Sequence, residues 1–126
     1  MSSAPDRWQR VRRLVEAARE RNAEDVVVLD VSELTSFADV FVLASGSSDR
    51  NVRAIVDAVV AAAARLGERP LGVEGYAEGR WVLVDLVDVI VHAFLPAVRE
   101  EYQLERLYAD APVVELAGAR LTGRAR

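Results

Sequence analysis

The sequence predicts an α/β (α+β) domain in which a single mixed five-stranded sheet carries helices packed on it. Three observations lead there. At 126 residues the chain is long enough for one core and short for two. Its middle holds an apolar stripe at helical spacing, made of Val52, Ile55, Val56, Val59, Ala63 and Leu66. Two apolar, β-branched runs, residues 80–86 and 88–95, follow one another with almost nothing between them, so they pair as an antiparallel hairpin. Roughly three helices and five strands in mixed order then argue for one sheet with helices against it.

The elements follow in order. Ser3, Pro5 and Asp6 read as a helix start, with a cap, a first-turn proline and an acid at the positive helix end. Val11, Leu14, Val15 and Ala18 continue it at helical spacing, so a helix is expected over residues 4–22. Six Arg surround that stripe, but Glu16 and Glu20 dilute them, and the face reads as solvated rather than as a nucleic-acid patch. Residues 25–31 form a strand buried on both faces, and residues 40–45 a second. The turn from Gly46 to Asp49 opens the central helix, which Gly67 ends, with Pro70 beyond. A short strand is expected over residues 71–74, then a turn, then the hairpin. Pro96 opens a short helix to about Tyr102, and residues 104–108 form a further turn or short helix. The domain is read as residues 1–116, ending in the turn at Pro112, with 117–126 a flexible C-terminal tail.

Composition narrows the function. Apolar residues make up 52% and charged residues 29%, an ordinary globular balance. Cys is absent, which excludes disulfides, thiolate metal sites and thiol nucleophiles. No apolar run approaches the ~20 residues of a membrane span, and the Arg-rich start is unlike a secretory signal, so the cytoplasm is expected. Net charge is −4 and uneven: residues 71–116 carry three Arg against nine acids. Such a surface is a poor ligand for phosphate backbones, so no sequence-specific nucleic-acid binding is expected. It suits a basic protein.

The chemistry-bearing residues gather on the hairpin. If Asp85 pairs near Asp88, alternation puts Trp81, Leu83, Asp85, Asp88, Ile90 and His92 on one face. Val82, Val84, Val89, Val91 and Ala93 fall on the other and should meet the helices, although a register slip of one residue would swap the two sets. The first set mixes aromatic, acid and imidazole, as expected of a half-exposed recognition surface with an anchoring Trp. Two acids and one His make a sparse metal site, so neither a metal nor a cofactor is expected. The turn Ser45-Gly46-Ser47-Ser48-Asp49-Arg50 could hold a phosphate at a helix N-terminus. Nucleotidyltransferases pair such a turn with a nearby Asp-x-Asp, which is missing here, and Ser48 or Asp49 as a helix cap is the simpler reading.

In combination these segments resemble the ribosomal silencing factor (Iojap) family. The resemblance rests on residues 25–31, on the Ser45 to Arg50 turn with Val52-Arg53-Ala54-Ile55, and on Val73-Glu74-Gly75. Residues 81–85 and 88–92, Arg99-Glu100-Glu101-Tyr102 and Leu104-Glu105-Arg106-Leu107 complete it. It implies a nucleotidyltransferase-like fold without the catalytic residues. It also implies binding to large-subunit ribosomal protein fourteen, where occupancy blocks joining of the small subunit when nutrients are scarce. A link to large-subunit biogenesis and a homodimer are implied as well. Carried over by position, the partner-binding residues are Trp81, Asp85, Asp88, His92, Tyr102, Glu105 and Tyr108. Tyr108 stands where the family often has Trp, and Val87 where many members have Gly. A non-enzymatic repressor is therefore expected, with a nucleotide-binding or nucleotidyltransferase enzyme of the same fold as the alternative.

Overall fold

The computed structural model describes residues 6–116. They run α1 (Arg7–Glu20), β1 (Glu24–Asp30), β2 (Val40–Ser45), α2 (Asp49–Arg65), β3 (Gly72–Glu74), β4 (Trp81–Asp85), β5 (Val89–Phe94), α3 (Pro96–Tyr102) and α4 (Leu104–Leu107). Ser3 and Pro5, expected to start the first helix, lie outside the described residues, as does the tail 117–126. Helix α1 begins later than expected, because Asp6 is extended and caps it. The Gln9 N–H donates to the Asp6 carboxylate, and the Gln9 side-chain oxygen accepts from the Asp6 N–H, a reciprocal pair that satisfies two end donors. Asn22, at φ 66, and Gly67, at φ 81, close α1 and α2 in the left-handed conformation. In each case the next N–H bonds back to the carbonyl five residues earlier, Ala23 to Ala18 and Glu68 to Ala63.

The strand order is β1-β2-β5-β4-β3. Only β2 and β5 run parallel, joined through α2 and the β3–β4 pair, and the other neighbours are antiparallel. The mixed sheet expected from the sequence is therefore present. Alternation sorts its side chains into two cores. Val26, Val28, Val40, Val42, Val82, Val84, Val89, Val91 and Ala93 pack against α1 and α2, so the helix-facing set of the hairpin is as expected. Val27, Leu29, Phe41, Leu43, Ile90 and Phe94 form a second core with Val98 and Ala111. The chain does not leave the domain at Pro112. The Asp30 N–H donates to the Pro112 carbonyl and the Val114 N–H to the Val28 carbonyl, so residues 112–114 cover the outer edge of β1, which would otherwise be an open pairing surface.

The hairpin turn has an unusual residue at its tip. The Leu86 N–H donates to the Val89 carbonyl at 2.9 Å, and the Asp88 N–H donates to the Leu86 carbonyl at 3.1 Å, a three-residue turn with Val87 at φ 79. A β-branched residue at positive φ is strained. Its side chain is 64% exposed, so little packing opposes its removal. Val87→Gly should raise stability by about 1 kcal/mol, the relieved strain exceeding the entropy that glycine adds to the unfolded chain. Urea unfolding checks this, and a lower midpoint would refute it.

Candidate functional site

Residues of β4 and β5 build the face opposite α1 and α2 in the register Trp81–Phe94, Leu83–His92 and Asp85–Ile90. This corrects the expected pairing of Asp85 near Asp88. Asp88 is not a strand residue. It lies in the turn, and Arg10 of α1 grips its carboxylate with two bonds of 2.9 Å. Arg10 also bonds Glu68, and Arg7 reaches Asp39 and Asp88. The hydrogen bond from Arg10 holds the Asp88 carboxyl below the usual range, against the opposing effect of burial. Asp88 thus ties the hairpin tip to α1 and lies off the face on which it was expected. Asp85 stays on that face, with one carboxylate oxygen accepting from the Val87 N–H at 2.8 Å.

The face is also less open than expected, because α3, α4 and the segment to Ala111 roof part of it. His92 is only 5% exposed. Its Nδ1 accepts from the Trp81 indole N–H at 3.2 Å, which assigns the remaining proton to Nε2. That nitrogen is buried with no hydrogen-bond partner among the described residues. Burial pushes the imidazole down to about 4, so it is neutral and holds Trp81 in place. Above it the half-buried Trp81 ring meets the 54% exposed Tyr102 at 4.9 Å, Phe94 at 5.7 Å and His92 at 6.1 Å. Tyr108 packs edge-on to Phe41 at 5.0 Å.

Glu105 is positioned by a residue that the sequence did not single out. Arg99, 8% exposed, donates to the Ser45 hydroxyl at 2.8 Å and to both Glu105 oxygens, and lies 5.6 Å from the centre of the Phe94 ring. It fastens α3 and α4 onto the ends of β2 and β5. No local pattern marks it, because Ser45 is distant in sequence and one Arg on a short helix looks solvated. Six of the seven expected positions, Trp81, Asp85, His92, Tyr102, Glu105 and Tyr108, therefore lie on or under one side of the sheet, and Asp88 lies apart.

The Ser45 to Arg50 turn uses its own donors. The Gly46 N–H donates to the Phe94 carbonyl, the Ser47 N–H to the Asn51 side chain, and the Asn51 N–H to the capping Ser48 hydroxyl. Asp49 pairs with Arg53. A phosphate at Gly46, Ser47 or Asn51 would have to displace these bonds, and the Asp49 carboxylate would repel it, so the turn fits a helix cap better than an anion site. Among the described residues no group of three or more His, Asp or Glu could hold a metal ion, and no helix is long and apolar enough to cross a membrane.

Known proteins are similar to this chain in sequence and fold. A family described as ribosomal silencing factor during starvation matches residues 4–126. Ribosomal silencing factor RsfS of Bacillus subtilis is 41% identical over 100 residues, which cover 79% of this chain and 85% of that one. Mitochondrial assembly of ribosomal large subunit protein 1 of Mus musculus is 35% identical over 98 residues, covering 75% of this chain and 43% of its own. The crystal structure of a Chromobacterium violaceum protein superposes with a TM-score of 0.81 at 35% identity, covering 91% of this chain and 96% of that one.

Proposed function

This chain belongs to the ribosomal silencing factor family, and from that membership we propose that it binds the large ribosomal subunit at ribosomal protein fourteen and sterically blocks joining of the small subunit when nutrients are limiting. The observation that carries this reading is the Trp81–Tyr102 pair, a large aromatic surface oriented from beneath by His92. Asp85 lies on the same face, in an acidic half of the chain that a basic protein complements. Repression by occupancy needs no turnover, so the protein is proposed to act in the cytoplasm as a regulator rather than an enzyme. Tyr108 and Glu105 border the face, His92 supports it, and Asp88 fixes the hairpin to α1. These four are proposed to act through the shape of the surface.

Trp81→Ala should weaken binding to purified large subunits by about 2 kcal/mol, roughly thirtyfold, as for a central aromatic anchor. Co-sedimentation measures the affinity, and circular dichroism with thermal unfolding confirms that the variant is folded. A folded variant with unchanged affinity removes Trp81 from the site. Subunit joining is then scored on sucrose gradients with and without the protein. A second role in large-subunit assembly is favoured by the mouse relative, whose name states that activity. Accumulation of immature large particles in a deletion strain is its test. Sedimentation of the free protein tests for the homodimer.

A further inference from the structure

We propose that a hollow beside the Trp81 face, open because residue 72 is glycine, receives one long cationic side chain, lysine or arginine, of the protein partner. The inference rests on the reading of this face as the partner-binding surface and adds the chemistry of one contact. The hollow, about 240 Å³, is lined by Leu71, Gly72, Glu74, Leu83, Asp85 and Ile90. Strand pairing explains its shape. On β3, Gly72 lies opposite Asp85 and Glu74 opposite Leu83, so these positions share one side of the sheet. Gly72 contributes no side chain, and a Cβ built on it would meet nothing within 4 Å. The space that a larger residue would fill is therefore open.

Its walls match an amphipathic cation. Leu83 is half-buried and Ile90 buried, which offers apolar surface to an aliphatic stem. Glu74 and Asp85 supply two carboxylates, diagonal neighbours across the β3–β4 pair. Neither is in an ion pair among the described residues, so each is free to take a cation from outside. Asp85 spends one oxygen on the Val87 N–H, which orients the carboxylate and leaves the other oxygen to accept a charge-assisted hydrogen bond from an ammonium or guanidinium. A neutral or acidic side chain would leave both carboxylates unpaired as the interface loses water.

The test uses the full chain and purified large ribosomal subunits, with affinity measured by co-sedimentation at several salt concentrations. Gly72→Leu fills the hollow from a position with free space, so its thermal unfolding should match wild type. Its affinity should fall about tenfold or more. Asp85→Asn should lower affinity similarly and flatten the salt dependence. Because both changes act on one occupant, the Gly72→Leu, Asp85→Asn double variant should bind about as weakly as the weaker single variant. Wild-type affinity for folded Gly72→Leu, alongside a loss in Trp81→Ala, overturns the hollow and leaves the proposed face standing. Unchanged affinity in both overturns the face and the hollow together. Losses that multiply in the double variant also overturn a shared occupant.

Discussion

Gly75→Ala is expected to destabilise the fold by about 3 kcal/mol and to weaken large-subunit binding with it. Gly75 sits at φ 85, where an L side chain is strained, and an added Cβ would lie 2.2 Å from the Trp81 carbonyl oxygen and 3.3 Å from its carbon. These are backbone atoms at the first residue of β4, so no side chain can rotate away. Relief must come from moving the β3–β4 turn or the start of β4, and the second shift carries Trp81 off His92 and Tyr102. Gly67→Ala is the control. Its φ is 81, yet nothing lies within 4 Å of the added Cβ, so only the left-handed conformation is penalised, about 1 kcal/mol. Urea unfolding of the two variants separates steric overlap from backbone strain. Equal losses would show that the close approach at Trp81 carries no cost.

Acid should destabilise the protein through His92 before its carboxylates contribute. The imidazole titrates near 6.5 when solvated and near 4 in the folded chain, because burial disfavours the charged form. Its ring neighbours Phe41, Trp81 and Phe94 carry no charge. Between those two values the unfolded chain binds a proton that the folded chain refuses. Stability therefore rises with pH across this window, is complete above about 6.5, and is lost as pH falls toward 4, by about 3 kcal/mol in all. Asp30 and Asp88 are held below their ordinary value of 3.8. Their contributions are present above that value and fade below it, so the interval from about pH 6.5 to 5 belongs to His92. Urea midpoints of wild type should drop across that interval. His92→Gln keeps a side-chain acceptor for the Trp81 indole but cannot ionise, and its profile should be flat there. A parallel slope in both proteins would assign the acid sensitivity to another group.

Both predictions concern residues whose weight the sequence showed only in part. Gly75 and His92 were visible as members of a motif. That a Cβ on Gly75 would strike the Trp81 carbonyl, and that His92 is buried beside Phe41, Trp81 and Phe94, was not. The alternation of β4 and β5 correctly placed Val82, Val84, Val89, Val91 and Ala93 against the helices. It failed at Asp88, because extending strand alternation into the turn assumed that the strand began one residue early.

By itself the sequence determined the elements, and it favoured one sidedness for the hairpin without fixing its register. The bounds of β2 and α3, the helix stop at Gly67 and the inward valines of the hairpin all follow from periodicity and turn chemistry, which act over a few residues. Only the tertiary structure decided which polar side chains remain available to a partner. Arg10 draws Asp88 away from the face, Arg99 fastens Glu105 beside Ser45, and Gly72 opens a hollow next to Asp85. The reason is range. Burial and ion pairing depend on which distant segments meet, and that is set by the packing of the whole sheet against its helices, which no short window of sequence records.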